Sequence, residues 1–284
     1  MESSLRLTIA QTTSFSTHSE NIKLLDEIVE YSISQNAHLL ALPEAFGLLN
    51  RNKEVAINQV VGAEHDPFLQ ACKRHAENSK IWIQAGSTPV KGTTGKFLNR
   101  STLIDKFGRL VAHYDKIHLF DIFLKGKEPT GESNRYEPGD KAVVVDTSWG
   151  PMALTICYDL RFPKLYRDLA KSGALLAFIP SAFTVPTGKA HWESLLRARA
   201  IENGMWIVAA AQVGKHADGR RTWGHSLVIS PWGEIICDLG GETTGIETVE
   251  IDMNEALSAR SQIPALKSER NYSIEHITLS EQNN

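Results

Sequence analysis

Along most of the chain, two kinds of segment take turns. One is a short run of apolar residues, or of apolar and polar residues in alternation, and the other has apolar residues at helical spacing. Six of these runs predict strands, at residues 5–9, 37–42, 81–85, 152–156, 174–179 and 206–211. Helical spacing and helix start signals predict helices after Thr17, near residues 66–79, over 163–170 and over 191–203. Strands that alternate with helices in this way favour a layered α/β sandwich, and no linker divides the chain into further domains. The whole chain, residues 1–284, is therefore predicted to form one domain.

Other stretches depart from this alternation. Residues 97–104 and 110–114 are joined by Asp105-Lys-Phe-Gly108, which predicts a β-hairpin. Apolar residues show no regular spacing over residues 118–140, which predicts a long loop. A loop of that length inside a compact domain is usually functional or disordered. The remaining predictions are a strand at 142–145, a β-meander at 226–229, 235–238 and 248–251, a short helix at 254–261 and a frayed tail at 280–284.

Composition narrows the class of protein. The net charge of −3 supplies no basic field for nucleic acid, and no apolar run approaches the length needed to span a membrane. The first residues lack a long apolar segment, so no signal peptide is expected. The three cysteines are an odd number and widely spaced, which argues against a disulfide framework or a structural zinc site. These features predict a cytoplasmic protein with reduced thiols.

Three reactive side chains lie at the ends of predicted strands. Glu44 follows the strand at 37–42, Lys116 follows 110–114, and Cys157 ends its own strand. Each has an ordinary structural explanation: a carboxylate at a helix start, a solvated lysine or a cysteine that packs in the core. Catalytic groups in α/β proteins gather at strand ends, however, so the three together predict a reactive site.

The three residue types fit nucleophilic catalysis by a thiol. Cys157 lies at a strand-to-helix junction, where a nucleophile is held rigidly. A carboxylate can accept the thiol proton, and a lysine can donate to a developing oxyanion. The backbone N–H of Tyr158 is the natural second oxyanion donor. No metal cluster is visible in the sequence.

Three motifs resemble the signatures of a known family. Leu42-Pro-Glu44, Tyr114-Asp-Lys116-Ile-His118 and the stretch from Thr155 to Phe162 are similar, in the same order, to the nitrilase superfamily of carbon–nitrogen hydrolases. The resemblance covers about residues 5–252. It implies a four-layer α-β-β-α sandwich and hydrolysis of a small-molecule amide through a cysteine thioester, without a cofactor or a metal. It also implies that Glu44 is the general base, Lys116 the oxyanion donor and Cys157 the nucleophile, and that the chain forms a homodimer or a higher homo-oligomer.

A fourth family residue is a second glutamate before a Pro-Gly turn. The resemblance places it at Glu132, within Gly131-Glu-Ser-Asn134. Glu137, which directly precedes Pro138-Gly139, is the competing candidate and otherwise serves as a turn residue.

The resemblance is strongest to the Nit-type branch of the superfamily. Tyr158-Asp159 follows the nucleophile, where true nitrilases usually have a tryptophan and a glutamate. Segments such as Pro180-Ser-Ala-Phe183 and Ala209-Ala-Ala-Gln212 favour deaminated glutathione amidase over the branch's other activity, that of an ω-amidase acting on 2-oxoglutaramate or 2-oxosuccinamate. A catalytically inactive α/β binding protein is a further alternative, which the intact Glu44, Lys116 and Cys157 set argues against.

Either amide substrate carries carboxylates, so the pocket needs fixed cations. Arg161, one turn past the nucleophile, is the predicted carboxylate clamp, although it could instead pair with Asp159. Phe183 and Thr187 are predicted to line the pocket. Arg220 and Arg221 are expected to be solvated, but one of them could bind an outer carboxylate.

Overall fold

The structure is a computed structural model that describes residues 2–50, 53–123 and 130–278. Six α-helices lie along this part of the chain: α1 (His18–Ser34), α2 (Lys53–Gln59), α3 (Pro67–Ser79), α4 (Pro163–Lys171), α5 (Val185–Asn203) and α6 (Asn254–Gln262). The strands up to the nucleophile are β1 (Ser4–Gln11), β2 (Leu39–Ala41), β3 (Trp82–Gln84), β4 (Thr88–Lys91), β5 (Phe97–Ile104), β6 (Leu110–Asp115), β7 (Asp121–Ile122), β8 (Thr130–Gly131), β9 (Val143–Thr147) and β10 (Gly150–Leu154). Those that follow are β11 (Leu176–Phe178), β12 (Trp206–Ala209), β13 (Val213–Lys215), β14 (Arg221–Trp223), β15 (Leu227–Ile229), β16 (Ile235–Asp238) and β17 (Gly245–Asp252).

Two large sheets form the centre of the fold. The first has the strand order β17-β1-β2-β3-β5-β4, with β6 paired to β5, and the second has the order β16-β15-β12-β11-β10-β9. Strands β1, β2 and β3 are parallel to one another, as are β10, β11 and β12. Because parallel strands end at the same sheet edge, the residues that follow them are brought together there.

The two faces of β2 show how the layers are built. Leu39 and Ala41 belong to a core cluster that also contains Met152 and Phe178 of the second sheet. Leu40, on the opposite face, packs in a separate cluster with residues of α1 and α3. One face of the first sheet therefore meets the second sheet and the other is covered by helices, since side chains alternate along a strand. The predicted α/β sandwich with helices outside two sheets is confirmed.

Most helix boundaries follow the sequence signals. Thr17 is the N-cap of α1, and its side chain accepts a hydrogen bond from the backbone N–H of Glu20. Asp66 caps α3 in the same way through Leu69. Gly204 ends α5 with a left-handed φ of 54°, as its position predicts. Within the described residues, no helix is both long enough and apolar enough to cross a membrane.

Several sequence expectations were wrong in detail. Helix α5 begins at Val185 and not at residue 191, because Pro186 is tolerated in a first helical turn. The segment at 248–251 does not continue a meander: β17 pairs antiparallel with β1, so that Leu5 lies opposite Ile251. The hairpin β13–β14 was not predicted. Its two strands have three residues each, and so give little periodic signal.

The aperiodic region 118–140 contains β7, β8 and a 3₁₀ turn at Glu132–Asn134. Residues 124–129 of this region, and the tail 280–284, lie outside the described residues. A second 3₁₀ turn, Cys157–Arg161, separates β10 from α4. This turn carries the predicted nucleophile.

Candidate active site

Glu44 lies just past the end of β2, and both oxygens of its carboxylate have partners. Oε1 accepts hydrogen bonds from Lys116 Nζ at 2.9 Å and from Asn99 Nδ2 at 3.0 Å. Oε2 accepts one from the backbone N–H of Ala182 at 2.8 Å. The residue is only 6% exposed, so these bonds replace the water that its charge requires. They also fix the orientation of the carboxylate.

Lys116 directly follows β6 and is buried beside two carboxylates. Its Nζ donates to Glu44 and also to Glu132, 3.1 Å from Oε1 and 2.9 Å from Oε2. Burial by itself favours the neutral amine, but the negative charges of Glu132 and Glu44 outweigh it and hold the pKa of Lys116 well above its usual value. Lys116 is therefore a fixed cation in the site.

The two candidate second glutamates lie in different surroundings. Glu132 begins the 3₁₀ turn Glu132–Asn134, and its carboxylate accepts a hydrogen bond from the backbone N–H of Phe120 at 2.6 Å in addition to those from Lys116. Glu137 instead accepts hydrogen bonds from the backbone N–H groups of Thr93 and Thr94, at 2.6 and 3.0 Å. The structure thus brings Glu132, and not Glu137, to the lysine.

Cys157 is the first residue of the 3₁₀ turn after β10. Its φ of 50° lies in the left-handed region, which costs a residue other than glycine about 1–2 kcal/mol. Its backbone N–H donates to the carbonyl of Pro180 at 3.0 Å. Burial raises the pKa of the thiol well above its usual value, and the negative charge of Glu44 raises it further, whereas Lys116 lowers it. At neutral pH the sulfur is a thiol, and so needs a base before it can attack.

All four side chains line one cavity of about 470 Å³, a volume within the usual range for small-molecule sites. Glu44, Lys116, Glu132 and Cys157 lie in its wall, together with Tyr158. No described residue outside the 3₁₀ turn accepts a hydrogen bond from the Tyr158 backbone N–H. This N–H stays the predicted second oxyanion donor.

Two of the three residues predicted to bind substrate lie in the cavity wall, and the third does not. Phe183 and Thr187 both line the cavity. Arg161 does not: its guanidinium lies 3.3 Å from Nδ1 of His191 and 5.5 Å from the centre of the Phe183 ring. It packs behind a wall residue, and the carboxylate clamp at Arg161 stays a prediction. The alternative partner, Asp159, is bonded elsewhere.

Three other arginines line the cavity: Arg135, Arg220 and Arg221. Arg220 forms an ion pair with Asp218, its NH2 group 2.6 Å from the carboxylate. Arg221 is exposed at the start of β14, and no ion pair with it is found among the described residues. Arg220 and Arg221 were expected to be solvated, with one of them as an alternative ligand of an outer carboxylate. Their place in the cavity wall leaves that alternative a prediction.

Sequence reasoning also missed the groups that hold Glu44. The Nδ2 of Asn99 and the backbone N–H of Ala182 bond its carboxylate, and Gln212 Nε2 donates to its backbone carbonyl at 3.0 Å. Ala182 and Gln212 lie in the two segments that resemble the Nit-type branch, which is the one signal that pointed to them. Asn99 carries no such signal, because it lies inside a strand that reads as structural.

Known proteins identify the family to which this site belongs. The sequence model of the carbon–nitrogen hydrolases matches residues 6–261. The chain belongs to the carbon–nitrogen hydrolase family, the nitrilase superfamily. A protein named deaminated glutathione amidase from Synechocystis is 39% identical over 262 residues, which are 90% of this chain and 95% of that protein.

Solved structures of this family share the fold. The NitFhit protein of Caenorhabditis elegans superimposes with a TM-score of 0.86 at 33% identity, over 94% of this chain and 65% of that longer one. Nit3 of Saccharomyces cerevisiae, a member of branch 10 of the nitrilase superfamily, gives a TM-score of 0.85 at 27% identity, over 95% and 98% of the two chains. The chain is therefore a carbon–nitrogen hydrolase of the Nit branch, an amidase-family enzyme whose substrate is a small-molecule amide.

Proposed function

We propose that the enzyme hydrolyses a linear amide that carries carboxylates, through a thioester on Cys157, and that deaminated glutathione is its substrate. The observation that carries this proposal is the single cavity in which Glu44, Lys116 and Cys157 converge beneath a wall that contains arginines. The Synechocystis relative supports the choice of amide, because its name is that of a deaminated glutathione amidase.

In the first half-reaction, the Cys157 sulfur attacks the amide carbon and Glu44 accepts the thiol proton. Because Glu44 Oε1 is held by Lys116 and Asn99 while Oε2 is held by Ala182, the carboxylate cannot swing away from the thiol. The oxyanion that forms is stabilised by the Lys116 ammonium group and the Tyr158 N–H. When the C–N bond breaks, Glu44 returns the proton to the leaving nitrogen.

In the second half-reaction, water attacks the thioester carbon. Glu44 accepts a proton from that water, and the same two donors stabilise the second oxyanion. Collapse of this intermediate breaks the C–S bond, and the proton on Glu44 returns to the sulfur. The carboxylic acid product leaves, and the thiol and the carboxylate are restored.

The arginines in the wall favour a substrate with more than one carboxylate. Arg220 and Arg221 reach the cavity wall from the β13–β14 hairpin. Arg135 directly follows the 3₁₀ turn Glu132–Asn134. Deaminated glutathione carries a carboxylate at each end, whereas 2-oxoglutaramate has only one. Both are substrates of the Nit-type branch, so the charge pattern of the wall, and not the triad, separates them.

The test is a comparison of kcat/KM for deaminated glutathione, 2-oxoglutaramate and a plain aliphatic amide under one set of conditions. We expect the first to be hydrolysed fastest. If 2-oxoglutaramate is faster, the enzyme is an ω-amidase. If none is hydrolysed, the proposed substrate is wrong. Added hydroxylamine tests the intermediate, because it attacks a thioester and yields a hydroxamate.

The nucleophile is tested by Cys157→Ala, with Cys237→Ala as the matched control. Cys237 is also buried, at 8% exposure, but does not line the cavity. We expect no turnover and no acyl-enzyme mass in the first variant, and normal turnover in the second. Substantial residual activity in Cys157→Ala would refute the thioester.

The proposal also includes the cellular compartment and the oligomeric state of the enzyme. The three cysteines are unpaired, which suits a reducing compartment such as the cytoplasm. A homo-oligomer is supported by apolar side chains left exposed near the C-terminus, Tyr272, Ile274 and Ile277, at 86%, 77% and 78%. Fractionation of cells tests the first, and light scattering at several concentrations tests the second.

A further inference from the structure

Asp159 is a buried carboxylate outside the cavity, two residues after the proposed nucleophile. It has 0% exposure and does not line the cavity wall. A carboxylate in such a position is stable only if hydrogen bonds compensate for the lost water. Asp159 has four such bonds, and they come from two separate parts of the chain.

One oxygen of Asp159 joins the Lys116 segment to the Cys157 segment. Oδ2 accepts a hydrogen bond from Tyr114 OH at 2.7 Å and another from the backbone N–H of Ile156 at 2.8 Å. Tyr114 is two residues before Lys116, and Ile156 directly precedes Cys157. The same hydroxyl accepts a hydrogen bond from the backbone N–H of Ile117 at 3.2 Å, so it also holds the chain just after the lysine.

The other oxygen binds the far side of Lys116. Oδ1 lies 2.7 Å from Nδ1 of His118 and accepts a hydrogen bond from the backbone N–H of the same residue at 3.2 Å. The imidazole is stacked on Phe162 with a centroid distance of 3.5 Å and an interplanar angle of 8°. The carboxylate thus favours a proton on Nδ1, and the stacking fixes the plane of the ring.

The backbone at Cys157 needs such support. A residue other than glycine keeps a left-handed φ only where its surroundings over-determine it. The chain before Cys157 is held by the bond from Ile156 to Asp159 Oδ2, and the chain after it by the bond from the Asp159 N–H to the carbonyl of Ile156, at 3.1 Å. The two bonds between Ile156 and Asp159 close a ring around the strained residue.

We propose that Asp159 is a positioning residue that fixes the proposed nucleophile and the proposed oxyanion lysine relative to each other, by bonding the segments 114–118 and 156–159 through one carboxylate. This inference rests on the proposed function for the roles of Cys157 and Lys116. It assigns to Asp159 no contact with the substrate.

The cleanest test is Tyr114→Phe, which removes one bond to Asp159 without changing a formal charge. The matched control is Tyr166→Phe. Tyr166 is an equally buried tyrosine, but its hydroxyl pairs with Thr155 Oγ1 at 3.0 Å and not with Asp159. We expect kcat to fall about ten- to hundredfold in Tyr114→Phe, because small displacements of reacting groups have effects of that size, while KM changes less than about twofold. The control should change neither by more than about twofold.

A second measurement separates positioning from general loss of stability. The pH dependence of Cys157 alkylation by iodoacetamide, followed by mass spectrometry of its peptide, reports the thiol pKa. The charges that face this thiol are Glu44, which raises its pKa, and Lys116, which lowers it. If Asp159 holds Lys116 near the sulfur, its loss weakens the lowering effect. The midpoint should move up in Tyr114→Phe, and not in Tyr166→Phe.

Asp159→Asn is a second test, in which charge removal and loss of positioning predict opposite shifts of the thiol pKa. Simple removal of a nearby negative charge would lower the thiol pKa, whereas loss of positioning raises it, so an upward shift supports the proposal. His118→Ala should also lower kcat, and His118→Asn, which keeps a short donor, should restore part of it. These variants decide the question if Tyr114→Phe does not fold.

The proposal is overturned if Tyr114→Phe and Asp159→Asn keep normal kcat and a normal or lowered alkylation midpoint. Failure of the proposed function would look different. In that case the unaltered enzyme hydrolyses none of the amides, while the alkylation experiment still measures the effect of Asp159 on the thiol.

Discussion

The ammonium group of Lys116 lies 2.9 Å from Oε1 of Glu44, and both side chains are almost completely shielded from water. The Glu44 carboxylate of this pair is close enough to the Cys157 thiol to affect its pKa. The carboxylate therefore has two opposite effects: it is placed to accept the thiol proton, and its charge raises the pKa of that thiol. The two effects can be separated by experiment.

Glu44→Gln is expected to lower kcat about 100- to 10,000-fold, because the variant loses its proposed general base. The same variant should lower the pKa of Cys157, since removal of a neighbouring negative charge favours the thiolate while Lys116 stays positive. The two measurements are steady-state kinetics and the pH dependence of iodoacetamide alkylation of the Cys157 peptide. An alkylation midpoint that stays in place or rises would contradict the assigned electrostatics.

The second glutamate is tested by Glu132→Gln against Glu137→Gln. Glu132 binds Lys116 and the backbone N–H of Phe120, so its neutral variant should loosen the lysine and lower kcat at least about tenfold. Glu137 binds Thr93 and Thr94, away from the cavity, so its variant should keep kcat within about twofold. Steady-state kinetics with one amide measures both, and the reverse order would reassign the role to Glu137.

How far the site could be predicted differs from residue to residue. Glu44, Lys116 and Cys157 each follow a strand that the sequence predicts, and strand ends are where catalytic groups gather in α/β proteins. The sequence could not show that the three ends converge, because β2 and β10 belong to different sheets and β6 pairs antiparallel with β5. The donors that hold Glu44 could not be found in this way. The Ala182 group is a backbone N–H, which every residue but proline has, and Asn99 is one polar residue in a strand.

The fold, like the site, could be predicted from the sequence only in part. Alternation identified a strand at 248–251 but could not name its partner, since periodicity is local and β17 pairs with β1 some 240 positions earlier in the chain. The start of α5 was missed because Val185-Pro186 and Gly188 resemble a loop. That glycine is needed for packing: a Cβ there would lie 2.3 Å from the Cβ and the ring of Trp223.

Recognition of the substrate's outer carboxylate is tested at Arg221. Arg221→Gln should raise KM for deaminated glutathione about three- to fivefold, the factor that an exposed ion pair worth up to about 1 kcal/mol supplies. KM for a neutral aliphatic amide should not change, and the effect should diminish in high salt. Equal effects on the two amides would remove Arg221 from charge recognition.

Arg161→Ala belongs beside that variant as a comparison. The sequence predicts that it raises KM far more for acidic than for neutral amides. If the guanidinium only supports the ring of Phe183, 5.5 Å away, both classes of amide should lose affinity alike. KM values of the two variants for the same two amides show which arginine binds the substrate's carboxylate.

Asp105 provides a test of stability that does not involve the active site. It lies in the tight turn after β5, where its carboxylate accepts hydrogen bonds from the backbone N–H groups of Phe107 and Arg109, at 2.9 and 3.0 Å, and from Arg109 Nε at 2.7 Å. Burial works to raise its pKa, but these bonds prevail and the pKa lies below its usual value. The unfolded chain therefore binds a proton more readily than the folded one.

It follows that the stabilisation from Asp105 is present above its unfolded pKa of about 3.9 and is lost as the pH falls through the lower folded pKa. Asp105→Asn should reduce the free energy of unfolding by about 1–3 kcal/mol at pH 7 and by much less in acid. Urea unfolding at several pH values measures this. Asp146→Asn, at an exposed position, is the control. A pH-independent difference for Asp105→Asn would contradict the linkage.

Gly86 shapes the chain next to the proposed general base. Its φ is 56°, and a Cβ at this position would lie 2.0 Å from the carbonyl oxygen of Pro43, the residue before Glu44. Gly95 has a φ of 85° and nothing within 4 Å of its Cβ position. Alanine at Gly95 therefore incurs only the backbone cost, about 1 kcal/mol, whereas alanine at Gly86 must also displace the chain that carries Glu44.

We therefore expect Gly95→Ala to lose about 1 kcal/mol of stability with normal kcat, and Gly86→Ala to lose more than about 3 kcal/mol and to lower kcat at least about tenfold. Chemical unfolding and steady-state kinetics on both variants separate the two costs. If Gly86→Ala kept normal turnover, the position of Glu44 would not depend on this close approach. Equal stability losses in the two variants would mean that the backbone conformation alone, and not the contact with Pro43, requires glycine there.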